Sequence, residues 1–99
     1  MFNVNISIEE NKCLGELVVD SYFFDKSKYE YAFYLYQDNE VIDRKGYSGN
    51  MEVAFDMEDR SGIFHIRCFI RDKEAMNIRG YNSEKLCIDT KVKGGYDND

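Results

Sequence analysis

Few side chains in this chain could carry chemistry. There is one histidine, His65, and there are three cysteines, Cys13, Cys68 and Cys87. A Ser-His-Asp or Cys-His arrangement needs an imidazole base, so any such site must be built on His65. That residue sits between Phe64 and Ile66 in an alternating stretch, and no Gly-x-Ser-x-Gly elbow occurs. It reads as a surface-facing strand histidine. No two cysteines have the spacing of a zinc site. Asp56, Glu58 and Asp59 cluster and could meet calcium, but they lack the alternating ligands around a central glycine that a calcium loop requires. A solvated acidic turn is the expectation there. Gly94-Gly95 is not a phosphate loop, and Asn5-Ile6-Ser7 is a glycosylation sequon only in a secreted eukaryotic chain. No catalytic residue, metal or cofactor is expected, and the chain is read as a non-enzyme.

The remaining chemistry is that of recognition, and it needs a surface. Residues 29–37 (Tyr-Glu-Tyr-Ala-Phe-Tyr-Leu-Tyr-Gln) alternate without a break. Strand side chains repeat every two residues, so Tyr29, Tyr31, Phe33 and Leu35 share a core face. Glu30, Ala32, Tyr34 and Tyr36 share the other. Residues 63–71 alternate in the same way: Phe64, Ile66, Cys68 and Ile70 on one side, His65, Arg67, Phe69 and Arg71 on the other. If the two segments lie side by side, Tyr34, Tyr36, Arg67, Phe69 and Arg71 form one aromatic and cationic platform. Tyr and Arg are favoured at binding hot spots, and an outward Phe between two Arg is easiest to explain if something covers it.

The other elements are arranged around those two. Residues 2–8 alternate with Phe2, Val4, Ile6 and Ile8 inward, and residues 13–20 with Cys13, Gly15, Leu17 and Val19 inward. One of Tyr22, Phe23 or Phe24 should plug an end of the core. Asp38-Asn39-Glu40 marks a hairpin. Residues 41–47 return as a polar edge strand guarded by Asp43, Arg44 and Lys45. Met51, Val53 and Phe55 line another one-sided strand, and residues 57–62 form a charged corner. Residues 72–80 read as a polar loop. Residues 81–89 read as the last strand, with Leu86 and Ile88 inward and a bulge near Ser83. From Lys91 onward the chain reads as a flexible tail or linker.

The composition fits a single β domain. Ninety-nine residues give one core, placed over residues 1–90 with a tail at 91–99. Eight Tyr and seven Phe favour half-buried pleated surfaces. The net charge of −6 argues against nucleic acid as a partner, since that binding rests on cations against phosphates. No apolar run approaches the roughly 20 residues of a membrane span, so membrane insertion is not expected. An export signal would belong to a longer parent chain or have been trimmed. Seven short strands with regular turn signals point to a β-sandwich, with a small barrel as the competing architecture.

The corner Asp59-Arg-Ser-Gly-Ile-Phe-His-Ile-Arg-Cys68 resembles the approach to the sixth strand of immunoglobulin-like and fibronectin-III-like sandwiches. Together with the aromatic strand and polar hairpin of residues 29–40, it also resembles the triple-tyrosine modules of larger bacterial proteins. Phe64 stands where the tyrosine corner of that fold has its hydroxyl, and no Trp occupies the central strand. The resemblance implies a seven-stranded immunoglobulin-like antiparallel β-sandwich that serves as an interaction or spacer module. It also implies that Cys13 and Cys68 lie on the strands bridged in antibody domains. Cys68, however, falls two residues past the usual position, and the alternative is three buried free thiols. The odd thiol count leans towards a cytoplasmic chain. The expected partner is a protein or neighbouring domain, a homodimer included, with carbohydrate as the alternative.

Overall fold

The computed structural model describes residues 1–89; the expected tail at 91–99 lies outside the described residues. The chain is all-β. Its strands are β1 (Phe2–Glu9), β2 (Lys12–Val19), β3 (Tyr29–Gln37), β4 (Glu40–Ser48), β5 (Glu52–Asp56), β6 (Gly62–Asp72), β7 (Ile78–Asn82) and β8 (Leu86–Ile88), with a 3₁₀ turn at Lys26–Lys28. They form two antiparallel sheets. One has the order β1-β2-β5; the other has the order β4-β3-β6-β7, with β8 also pairing β6.

Both long alternating segments are strands, and they are neighbours. Tyr29 pairs with Asp72 at one end of the β3–β6 ladder and Gln37 with Phe64 at the other, with no slip between. Tyr31, Phe33 and Leu35 therefore face the core beside Phe64, Ile66, Cys68 and Ile70. From the other sheet, Val4, Ile6, Cys13, Leu17 and Phe55 join the same buried cluster. Gly15 is required by this packing. A Cβ there would stand 2.7 Å from Ile66 Cδ1 and 3.0 Å from Val53 Cγ1. Tyr31 is the one buried phenol of the row, and its hydroxyl donates to the carbonyl of Lys26 at 2.9 Å.

Turn chemistry fixes the register. Asp38 and Asn39 both have positive φ, 51° and 70°, as a two-residue type I′ hairpin demands. The backbone N–H of Asp38 then donates to the Ile63 carbonyl, and its carboxylate accepts from Ile63 N at 3.0 Å. Gly62 has φ +145°, and a Cβ there would stand 2.9 Å from the Asp38 carboxylate, so only glycine fits this corner.

Several expectations need correction. Among the described residues there are eight strands, not seven, because the last segment breaks at Ser83. The Ser83 hydroxyl accepts from Ile66 N at 2.9 Å and donates to the Glu84 carbonyl, while Ser83 N donates to the Ile66 carbonyl. The side chain thus takes the place of a ladder carbonyl. The strand before it begins at Ile78, inside the stretch read as a loop. Met57, placed in the charged corner, is buried in the core. Of the three loop aromatics only Phe24 plugs the core, stacked on Tyr29 at 5.0 Å and edge-on to Phe2 at 5.5 Å; Tyr22 and Phe23 are fully exposed.

Candidate functional site

The outward row of β3 and β6 is one continuous surface. Cross-strand partners are Tyr36 with His65, Tyr34 with Arg67, Ala32 with Phe69, and Glu30 with Arg71. All five residues singled out from the sequence lie on it, and most are held by ring contacts. Tyr34 meets Phe69 edge-on at 4.9 Å. The Arg67 guanidinium lies 5.2 Å from the Phe69 ring centre. Arg71 lies 4.0 Å from the Tyr47 ring and donates to the Glu30 carboxylate at 2.9 Å. Such contacts hold the guanidinium planes in place without taking up all their donors.

Four further residues, Ala32, Tyr47, Ile78 and Arg44, belong to this surface without having been singled out from the sequence. Ala32 is almost fully buried although it lies on the outward row, because larger neighbours close over it. It is the floor of an open depression of about 330 Å³ walled by Tyr34, Tyr47, Phe69 and Ile78. Tyr47 comes from β4 and Ile78 from β7. Arg44, also on β4, lies 5.4 Å from the Tyr34 ring. Arg44 and Tyr47 reach the same face although they are three residues apart, because β4 shifts register against β3 between Tyr31 and Phe33. Strict alternation along residues 41–47 hides that.

Gly80 keeps Arg67 where it is. A Cβ on Gly80 would stand 2.4 Å from an Arg67 terminal nitrogen and 2.8 Å from its central carbon. The guanidinium therefore lies against the backbone of β7, in space that a side chain would fill.

His65 departs from its expected place. It does face outward, but Tyr36 stacks flat on it at 4.4 Å and 11°, leaving it only 9% exposed. Its Nδ1 is buried without a hydrogen-bond partner. Burial first, then the nearby charges of Lys85 and Arg67, hold its pKa below the usual imidazole value. The lowered pKa favours the neutral ring beneath Tyr36.

The thiols are free. Cys13 and Cys68 are fully buried, and burial pushes their pKa up to about 11 and about 12. Neither has the electropositive, accessible setting of a reactive thiolate. Cys87 is exposed, which corrects the expectation of three buried thiols. With Leu86 and Ile88 packed against the core, the residue between them points out. Among the described residues no group of three His, Cys, Asp or Glu side chains is placed to hold a metal ion. Compared with models of known protein families, with curated proteins and with solved structures, the chain matches none.

Proposed function

We propose that this chain is an immunoglobulin-like β-sandwich, β1-β2-β5 packed on β4-β3-β6-β7/β8, that acts as a non-catalytic interaction module, as in the larger bacterial proteins it resembles. Its docking surface is the outward face of β3 and β6, and its partner is a protein surface or neighbouring domain. One observation carries this reading: the apolar depression over Ala32, ringed by Tyr34, Tyr47, Phe69 and Ile78 and rimmed by Arg44, Arg67 and Arg71. Aromatic anchors around a preformed hollow, with guanidinium donors at the rim, are the composition of a protein-binding hot spot.

Carbohydrate is the second reading, supported by Tyr36. Its ring lies flat over His65, the attitude in which an aromatic receives a sugar face. The edge-on meeting of Tyr34 and Phe69 breaks the flat platform a longer glycan would need, which favours protein.

Display selection of random peptides on the wild-type chain, counter-screened on Phe69→Ser, tests the reading. Enriched peptides should carry an apolar residue flanked by carboxylates and should lose the Phe69→Ser protein. Peptides that bind both proteins equally would overturn it. Oligosaccharide titration shifting the Tyr36 amide signal, with no peptide enriched, would select the second reading.

A further inference from the structure

The two outward faces of the molecule carry opposite charge. On the β4-β3-β6-β7 face stand Arg44, Arg67, Arg71 and, beside His65, Lys85. The carboxylate among them, Glu30, is already held by Arg71. On the β1-β2-β5 sheet, Cys13 and Leu17 of β2 and Phe55 of β5 point into the core, so Glu9, Glu16, Glu52 and Asp56 point away from it. Lys12 on that face is already held by Asp56, and Lys45 of β4 stands at its edge, in a hollow that Glu52 also lines. Glu16 and Glu52 are direct cross-strand partners. Like charges so placed destabilise a sheet, and among the described residues no cation forms an ion pair with either. Neither Arg44 nor Arg67 has an ion pair there either. The carboxylate face has an open hollow of its own, about 540 Å³, with Leu14 and Ala54 in its lining.

We propose that these faces are the two halves of one contact: the arginine–aromatic face of one copy docks on the carboxylate face of the next. This rests on the reading of the β3–β6 outward face as a docking surface and names its partner as a second copy of this chain. The alternative, two arginine faces meeting across a two-fold axis, sets Arg44 and Arg67 of one copy against those of the other, while the Glu30 carboxylate is already held by Arg71. A head-to-tail contact matches the charges, and it leaves one unused face at each end. Association is therefore open-ended. It is also weak. Three strands about 4.8 Å apart and eight residues at about 3.3 Å make a face of roughly 14 by 26 Å. That is well below the ~800 Å² per partner of a stable complex. The net charge of −6 opposes crowding of copies, and salt screens the attraction.

Sedimentation velocity of the full chain tests the proposal. In low salt the average sedimentation coefficient should climb with concentration and keep climbing past the dimer; in molar salt it should return to the monomer value. Glu16→Lys/Glu52→Lys should weaken self-association by about tenfold or more, and so should Arg44→Ala/Arg67→Ala. Each double variant keeps one face intact, so an equimolar mixture should form a one-to-one complex that does not grow. Circular dichroism checks that both variants fold. A wild-type chain that stays monomeric throughout would overturn the proposal, while peptide selection on the same face would still stand or fall separately. Self-association that survives in the Glu16→Lys/Glu52→Lys protein would also overturn it, since it would show a two-fold contact of arginine faces.

Discussion

The inner and outer rows of β3 and β6 share one backbone and do different work. The inner row, from Tyr31 to Leu35 and Phe64 to Ile70, is at most 5% exposed at every position and apolar apart from one satisfied hydroxyl. The outer row is a mixture of Tyr, Arg, Phe and Glu, mostly half-buried and held by ring edges, guanidinium stacking and one ion pair. Apolar burial drives the inner row. The outer row gains much less from its own contacts, since stacks and partly exposed ion pairs contribute about 1 kcal/mol or less each. A strand needs only its inner row to be placed. The chemistry of the outer row is left free for a partner, and that freedom makes it informative about function.

The comparison breaks if the two phenylalanines of β6 respond alike. Phe64 is fully buried and Phe69 lies half-buried on the other face. Phe64→Ala should cost about 3–5 kcal/mol in urea unfolding, a large share of the 5–15 kcal/mol that holds a domain of this size. Phe69→Ala should cost about 1–2 kcal/mol, from one edge-on ring contact and partial burial. Equal losses would mean that the outer row is core in all but position.

Ser83 sharpens the comparison at the next scale. Its hydroxyl accepts the Ile66 N–H where β7 gives way to β8. Ser83→Ala leaves that buried N–H without an acceptor, at an expected cost of about 1–3 kcal/mol. Hydrogen exchange at the Ile66 amide should accelerate more than at Phe64 or Cys68. An unchanged rate at Ile66 would show that another acceptor, such as a water, takes the place of Ser83.

Legibility in the sequence followed the strength of the alternation. β3 and β6 alternate over nine residues, so their pairing and inner faces were readable, and so were the five outward residues. β7 has Ile78 and Tyr81 among polar residues, and no period of two emerges from so short a run. Met57 was hidden by the charged residues that follow it, although it extends the two-residue step of Val53 and Phe55. Nothing in the sequence ranked Phe24 above Tyr22 and Phe23. The choice comes from the Asp25 cap, which accepts from Ser27 N and starts the 3₁₀ turn, and from the ring of Tyr29 beyond it. The depression over Ala32 needed four strands at once. Tyr47 reaches it through a register shift and Ile78 from an element that alternation does not reveal.

His65 is the exception to the division of work between the rows, and acid is the means to test it. It lies on the outer row yet is nearly as dry as the inner one, and its Nδ1 has no partner. Burial and the neighbouring cations Lys85 and Arg67 depress its folded pKa below the unfolded value of 6.5. Below pH 6.5 the unfolded chain therefore takes up a proton that the folded chain resists, and linkage makes stability fall as pH falls. The contribution is complete above the unfolded value and is lost progressively down towards the folded one. The carboxylates of Asp25, Asp56 and Asp72 have folded pKa values lowered by hydrogen bonds, so their own losses begin only as pH approaches the carboxylate range. Urea unfolding of wild type and His65→Gln between pH 7.5 and 5 (about one unit above to 1.5 below the imidazole value) separates them. The wild-type midpoint should decline across this window while that of His65→Gln stays level. Parallel slopes would mean that the imidazole protonates freely, and that Tyr36 covers it only loosely.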